Sequence, residues 1–180
     1  MDLSQFKEVL RQFGRNVVLE SKSNLNKGNR NVSNALSNSI KYNIKELENS
    51  FIIYFIIKQY GIFFDKGVKG KNSGDSIAKP KYKFTNKMPP PNKLDKWVVR
   101  RGLAPRDAKG RFKPRAINTI GFRKSITFLI ARAIYSRGIK PSMFFTKPFD
   151  MYFKGLKKDL ERSLAKDIEI QLTKSNRWVP

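Results

Sequence analysis

The chain has 180 residues and 39% hydrophobic content, enough for a folded core and too apolar for a disordered polyelectrolyte. Lys and Arg number 38 against 14 Asp and Glu, a net charge of +24, so a polyanion or an acidic protein surface is the expected partner. Cysteine and histidine are both absent, which excludes a disulfide framework and thiol chemistry and argues against zinc, haem and His-based catalysis.

The first twenty residues, MDLSQFKEVLRQFGRNVVLE, read as an amphipathic helix carrying acids and not as a signal peptide. Asp2 or Ser4 is the expected cap, because a short side-chain oxygen satisfies an orphan helical N–H. Phe6, Val9, Leu10, Phe13, Val17 and Val18 recur at three and four and form one apolar stripe, with fraying expected near Asn24. A polar loop, LNKGNRN, follows, and Ser33 starts a short helical turn. Ile40, Tyr42 and Ile44 alternate with Lys41 and Asn43 as a half-buried strand does. ELENS reads as a turn, and FIIYFII, 51–57, as a central strand buried on both faces, completing an antiparallel hairpin. That apolar run is far shorter than a bilayer span, so the expectation is a soluble protein made in the cytoplasm, with no membrane partner.

Residues 60–66 are ambiguous between a short helix and a strand, and Gly67 and Gly70 break the chain. Residues 67–92 read as loop, ending in the prolines 89–91. Asn92 is positioned to cap a short helix, KLDKWVVRRG, that inserts Leu94, Trp97 and Val98. Residues 103–115 read as a second basic loop. From Thr119 a helix carries Ile126, Leu129, Ile130, Ala133 and Ile134 at helical spacing, with Gly138 as its stop. The last helix starts near Thr146, with Pro148 in its first turn and a stripe of Phe149, Tyr152, Phe153, Leu156, Leu160, Leu164 and Ile168.

Charge is regional. Residues 51–149 hold 23 bases and four acids, while 1–50 and 150–180 are close to balanced. Lys79, Lys81, Lys83 and Lys87 fall in the first loop; Arg100, Arg101, Arg106, Lys109, Arg111, Lys113 and Arg115 fall in or beside the second. These are the candidate partner or DNA contacts, weighed against a merely solvated face. The four acids of this region, Asp65, Asp75, Asp95 and Asp107, show no spacing that would gather carboxylates around Mg²⁺. GVKGKNSG lacks the Gly-Lys-Ser/Thr ending of a phosphate loop. No catalytic residue, metal or cofactor is therefore expected.

GIKPSMFFTKPFD, 138–150, sets three phenylalanines and a methionine between helices in a basic region. The rings could stack nucleic-acid bases, or they could be a joint. Phe145 and Phe149 stand four apart, as in a hydrophobic staple, which favours the joint. On that reading Phe145 anchors the last helix, while Met143 and Phe144 stay free for a neighbour.

Three segments also carry a family resemblance. NVSNALSNSI, 31–40, is similar to the small-residue, Leu and Ser-Ile segment that precedes the first long strand of the tail-completion, or neck, proteins of tailed bacteriophages. YGIFFDKGV, 60–68, resembles the family's pattern of Tyr-Ala, two apolar positions, Glu, any residue and Gly-Thr. Tyr60, Asp65 and Gly67 match in spacing, while Gly61, Asp65 and Val68 stand for alanine, glutamate and threonine. The stretch at 138–150 resembles the family's Pro-Phe-Leu-any-Pro-Ala turn, with Phe145 and Pro148 matching and Phe144, Thr146 and Phe149 departing.

The resemblance implies an N-terminal helix, an antiparallel sheet and packed C-terminal helices. It implies a non-enzymatic subunit of a homo-oligomeric ring in the virion neck, between connector or portal-side and tail-side proteins and around the DNA channel. Assembly would take place in the host cytoplasm. The whole expectation is one α+β domain over 1–180, with a basic, loop-rich insertion at about 67–118. The rival is a monomeric basic nucleic-acid-binding protein.

Overall fold

The structure, a computed structural model, describes residues 3–28, 32–73, 82–103, 107, 109–111, 113 and 120–176. The fold is α+β, as expected. The chain falls into two compact units, one built from 1–28, 35–58 and 143–180, the other from 29–34 and 59–142.

The first unit contains helix α1 (Ser4–Lys27), a 3-10 turn (Ser37–Ser39), strands β1 (Lys41–Leu47) and β2 (Ser50–Ile56), and helix α5 (Thr146–Asn176), α2 to α4 lying in the second unit. Its core gathers Phe13, Val17 and Leu156, with Ile53, Phe55, Phe145, Phe149 and Tyr152 packed around them. Phe13 meets Phe55 and Phe149 edge to face, at 6.1 and 5.7 Å between ring centres. This is the predicted sheet against the predicted terminal helices. The hairpin sits close on α1 because Gly14 carries no side chain where the Tyr42 ring lies.

Several local expectations change. Asp2 lies outside the described residues, Ser4 is the first helical residue, and α1 continues past Asn24 to Lys27. No local side chain caps α1. Its free amides at Gln5 and Phe6 donate instead to the Asp167 carboxylate of α5, at 3.0 and 2.9 Å. The helical turn expected from Ser33 is reduced to the 3-10 turn at Ser37–Ser39. β1 runs through Leu47, so only Glu48 and Asn49 turn.

β2 is not buried on both faces. Phe51, Ile53 and Phe55 point to the core, while Ile52, Tyr54 and Ile56 are 45%, 42% and 46% exposed. Among the described residues β2 pairs with β1 alone, and the alternate exposure of its side chains shows that one face of the hairpin is left uncovered.

The α5 stripe also shifts. The line against α1 is Phe149, Tyr152, Leu156, Leu160, Ser163 and Asp167, and it leaves Phe153, Leu164 and Ile168 exposed. Asp167 sits at the first turn of α1, so α5 runs on past the end of that helix. Among the described residues no turn of α1 faces Ile170 and Leu172, and both are exposed.

The second unit contains α2 (Gly61–Lys66), β3 (Val68–Lys69), β4 (Tyr82–Lys83), a 3-10 turn (Pro91–Leu94), α3 (Asp95–Arg100), α4 (Ile120–Arg137) and β5 (Gly138–Ile139). α2 resolves the ambiguity at 60–66 in favour of a helix. A small sheet in the order β4-β3-β5, parallel then antiparallel, brings structure into what was expected as loop. Gly138 ends α4 at φ +82°, as expected, since a residue with Cβ is strained there. Asn92 lies inside the 3-10 turn and does not cap α3. In α4 the buried positions are Thr127 and Ala131, and Leu129 is exposed, so the expected stripe is one position out of register. Among the described residues no helix is long and apolar enough to cross a membrane.

Candidate interaction surfaces

In the first unit the candidate surface is apolar. Antiparallel pairing of Lys41 with Ile56 through Leu47 with Ser50 fixes which side chains share a face. Ile52, Tyr54 and Ile56 therefore stand on one outer face, alternating with the three core residues of the same strand. A second apolar groove lies along α5, lined by Phe6, Phe153, Leu156, Leu160 and Leu164, with Lys157 and Glu161 at its rim. Phe6 itself packs on Phe51 at 5.3 Å between ring centres. These surfaces expose side chains that a lone soluble chain ordinarily covers.

The joint at 138–150 is confirmed in outline and corrected in detail. Phe145 packs edge to face on Phe55 of β2 at 5.2 Å and lies 6.0 Å from Phe149, so it ties the start of α5 to the hairpin. Phe144 is not free: it is 2% exposed and among the most buried large side chains, and Pro148 is buried with it. Met143 is exposed, at φ +50°.

In the second unit the candidate surface is basic. Of the sequence-predicted contacts, Lys83 on β4, Lys87, Arg100 on α3, Arg101, Lys109, Arg111 and Lys113 are described, and all are exposed. Lys79, Lys81, Arg106 and Arg115 lie outside the described residues.

The described acids of this unit are engaged internally. Asp95 holds Arg123 through two hydrogen bonds of 2.8 and 2.9 Å, tying α3 to α4. Asp107 accepts from the backbone amides of Lys109 and Arg111 and closes a turn that exposes both side chains. Asp65 is buried. Among the described residues no group of three acids comes together as a metal site would require.

The motif residues Tyr60, Asp65 and Gly67 all fall in and beside α2. Tyr60 is exposed and its ring lies 6.3 Å from Phe64. Gly67 has φ +76° and sits against the backbone of Ile139 and Pro141, so a Cβ there would clash. Phe64 O accepts from both the amide and the hydroxyl of Ser142, at 3.0 and 2.6 Å, which ties the segment after β5 to α2.

Sequence reasoning placed Trp97 in the core. The indole is 37% exposed, with the Arg101 guanidinium over its ring at 5.7 Å. The signal that could have found this is the cation pattern around it: Lys93, Lys96 and Arg100 repeat at helical spacing, on the side opposite Val98, which is buried.

Comparison with family models, with curated protein sequences and with solved structures finds no match.

Proposed function

We propose that this chain is a structural, non-enzymatic subunit of a ring in the neck of a tailed-phage virion, joining the connector to the tail around the DNA channel. The family likeness of 31–40, 60–68 and 138–150 supports the place. The observation that carries the need for a partner is the outer face of the hairpin, where Ile52, Tyr54 and Ile56 stand exposed together.

A ring requires heterologous faces that close on themselves. The first unit offers two different apolar surfaces, the hairpin face and the α5 groove, and a head-to-tail contact between copies would bury one of each. The basic surface of the second unit would meet acidic surfaces of the adjoining ring, with DNA contact secondary. Native mass spectrometry of the purified chain, alone and with connector subunits, tests this. A ring is expected; a chain that stays strictly monomeric and never joins a connector contradicts it.

The rival, a monomeric nucleic-acid-binding protein, is favoured by the exposed cations of the second unit. It predicts monomers that bind nucleic acid with a steep salt dependence from many phosphate contacts.

A further inference from the structure

We propose that the outer face of α3 is a nucleic-acid contact, with Lys93, Lys96 and Arg100 on phosphates and Trp97 at the edge of a base or sugar. The site takes up Arg100 and Arg101 from the cations singled out in the sequence, adds Lys93, Lys96 and Trp97, and does not depend on the ring reading.

Helical geometry gathers the cations on one side. Across the 3-10 turn and α3, Lys93, Lys96 and Arg100 follow one another at three and four residues, so they share a side. That side is opposite Val98, which anchors the helix at 1% exposure. Asp95, the one acid of the segment, is committed to Arg123 and neutralises none of the three. Among the described residues Lys93, Lys96 and Arg100 have no ion-pair partner. The face therefore carries three uncompensated cations within about two turns.

The exposed indole selects the partner. The cations alone would suit an acidic protein surface equally well. Nucleic acid offers phosphates and aromatic faces together, and aromatic side chains beside basic ones are the usual means of holding it without sequence preference. The Arg101 guanidinium lies over the ring at 5.7 Å. The Asp95–Arg123 pair ties α3 to α4 and Val98 is buried, so the face is presented by an anchored element.

The chain has two tryptophans, so Trp178→Phe leaves Trp97 as the only indole. A short DNA oligonucleotide, as single strand and as duplex, is titrated against this variant while Trp97 emission is followed over a range of salt. Quenching is expected, with affinity falling steeply as salt rises. Adding Lys96→Gln and Arg100→Gln should lower the log–log slope by about two, one per lost phosphate contact. Stronger quenching by the single strand would locate Trp97 against an unpaired base, and equal quenching would locate it against the backbone.

The proposal is overturned if neither form quenches Trp97, or if the double variant keeps the slope. It is also overturned if polyglutamate competes better than DNA, which would make the partner an acidic protein. Thermal melts of the variants check that both exposed substitutions leave the fold intact. Native mass spectrometry of the same samples separates the two readings. Rings with an unchanged slope sink this inference alone, and monomers with a reduced slope sink the ring alone.

Discussion

Phe144 and Phe145 are adjacent and alike in chemistry, yet the fold uses them differently. Phe144 is enclosed, so Phe144→Ala should cost about 3–5 kcal/mol, the range for truncating a fully buried ring. Phe145 is partly buried against Phe55, so Phe145→Ala should cost less than Phe144→Ala. Urea unfolding of the two variants gives the order directly, and the reverse order would contradict this packing. Asp167 makes a different kind of contribution. It is 1% exposed and caps α1 from a position more than a hundred and sixty residues away in the chain. Replacing a cap by alanine costs about 0.5–2 kcal/mol. Asp167→Ala should reach the upper part of that range, because two amides lose their acceptor and a buried site is left partly empty. Loss of hydrogen-exchange protection confined to the first turn of α1 would mark the mechanism; unchanged exchange at Gln5 and Phe6 would contradict it. None of this was legible at the residue scale. The 138–150 stretch announces a joint, but neighbouring phenylalanines give no sign of which one turns inward. A carboxylate in the last helix gives no sign of the amides it will meet.

Elements were more legible than their faces. The spacing of apolar residues placed α1, the hairpin and the start of α5 close to their observed bounds, because a stripe at three and four or an alternation at two is a local property. Which face is covered depends on what lies beyond the element. FIIYFII is apolar on both sides, so its pattern is the same whether one side or two are buried. The hairpin leaves one side open. Likewise α5 keeps its apolar spacing beyond the first turn of α1, and Ile170 and Leu172 are exposed there. The open hairpin face gives an element-scale prediction. Ile52→Lys with Ile56→Lys changes two side chains that are already nearly half exposed. The melting temperature should hold or change little, since exposed substitutions usually stay within about 0.5 kcal/mol. Size-exclusion chromatography with light scattering should show assembly lost. Assembly that survives both lysines would remove this face from the interface.

At the scale of the whole molecule, both units expose apolar side chains, the second at Ile120, Phe128 and Leu129 of α4, while the excess of cations lies in the second. The first unit exposes apolar side chains on the hairpin and along α5, and the second exposes cations on its loops and on α3. The charge imbalance was plain in the sequence, because it needs only counting. The small β4-β3-β5 sheet was not, since two-residue strands carry no period. On the proposed reading, the hairpin face of one unit would close the ring while the cations of the other meet a polyanion. The central claim is the ring, and electron microscopy of the purified chain mixed with connector rings tests it most directly. The account predicts closed rings of this chain stacked coaxially on the connector, lost in the Ile52→Lys, Ile56→Lys variant. Dispersed single chains beside bare connectors would contradict it.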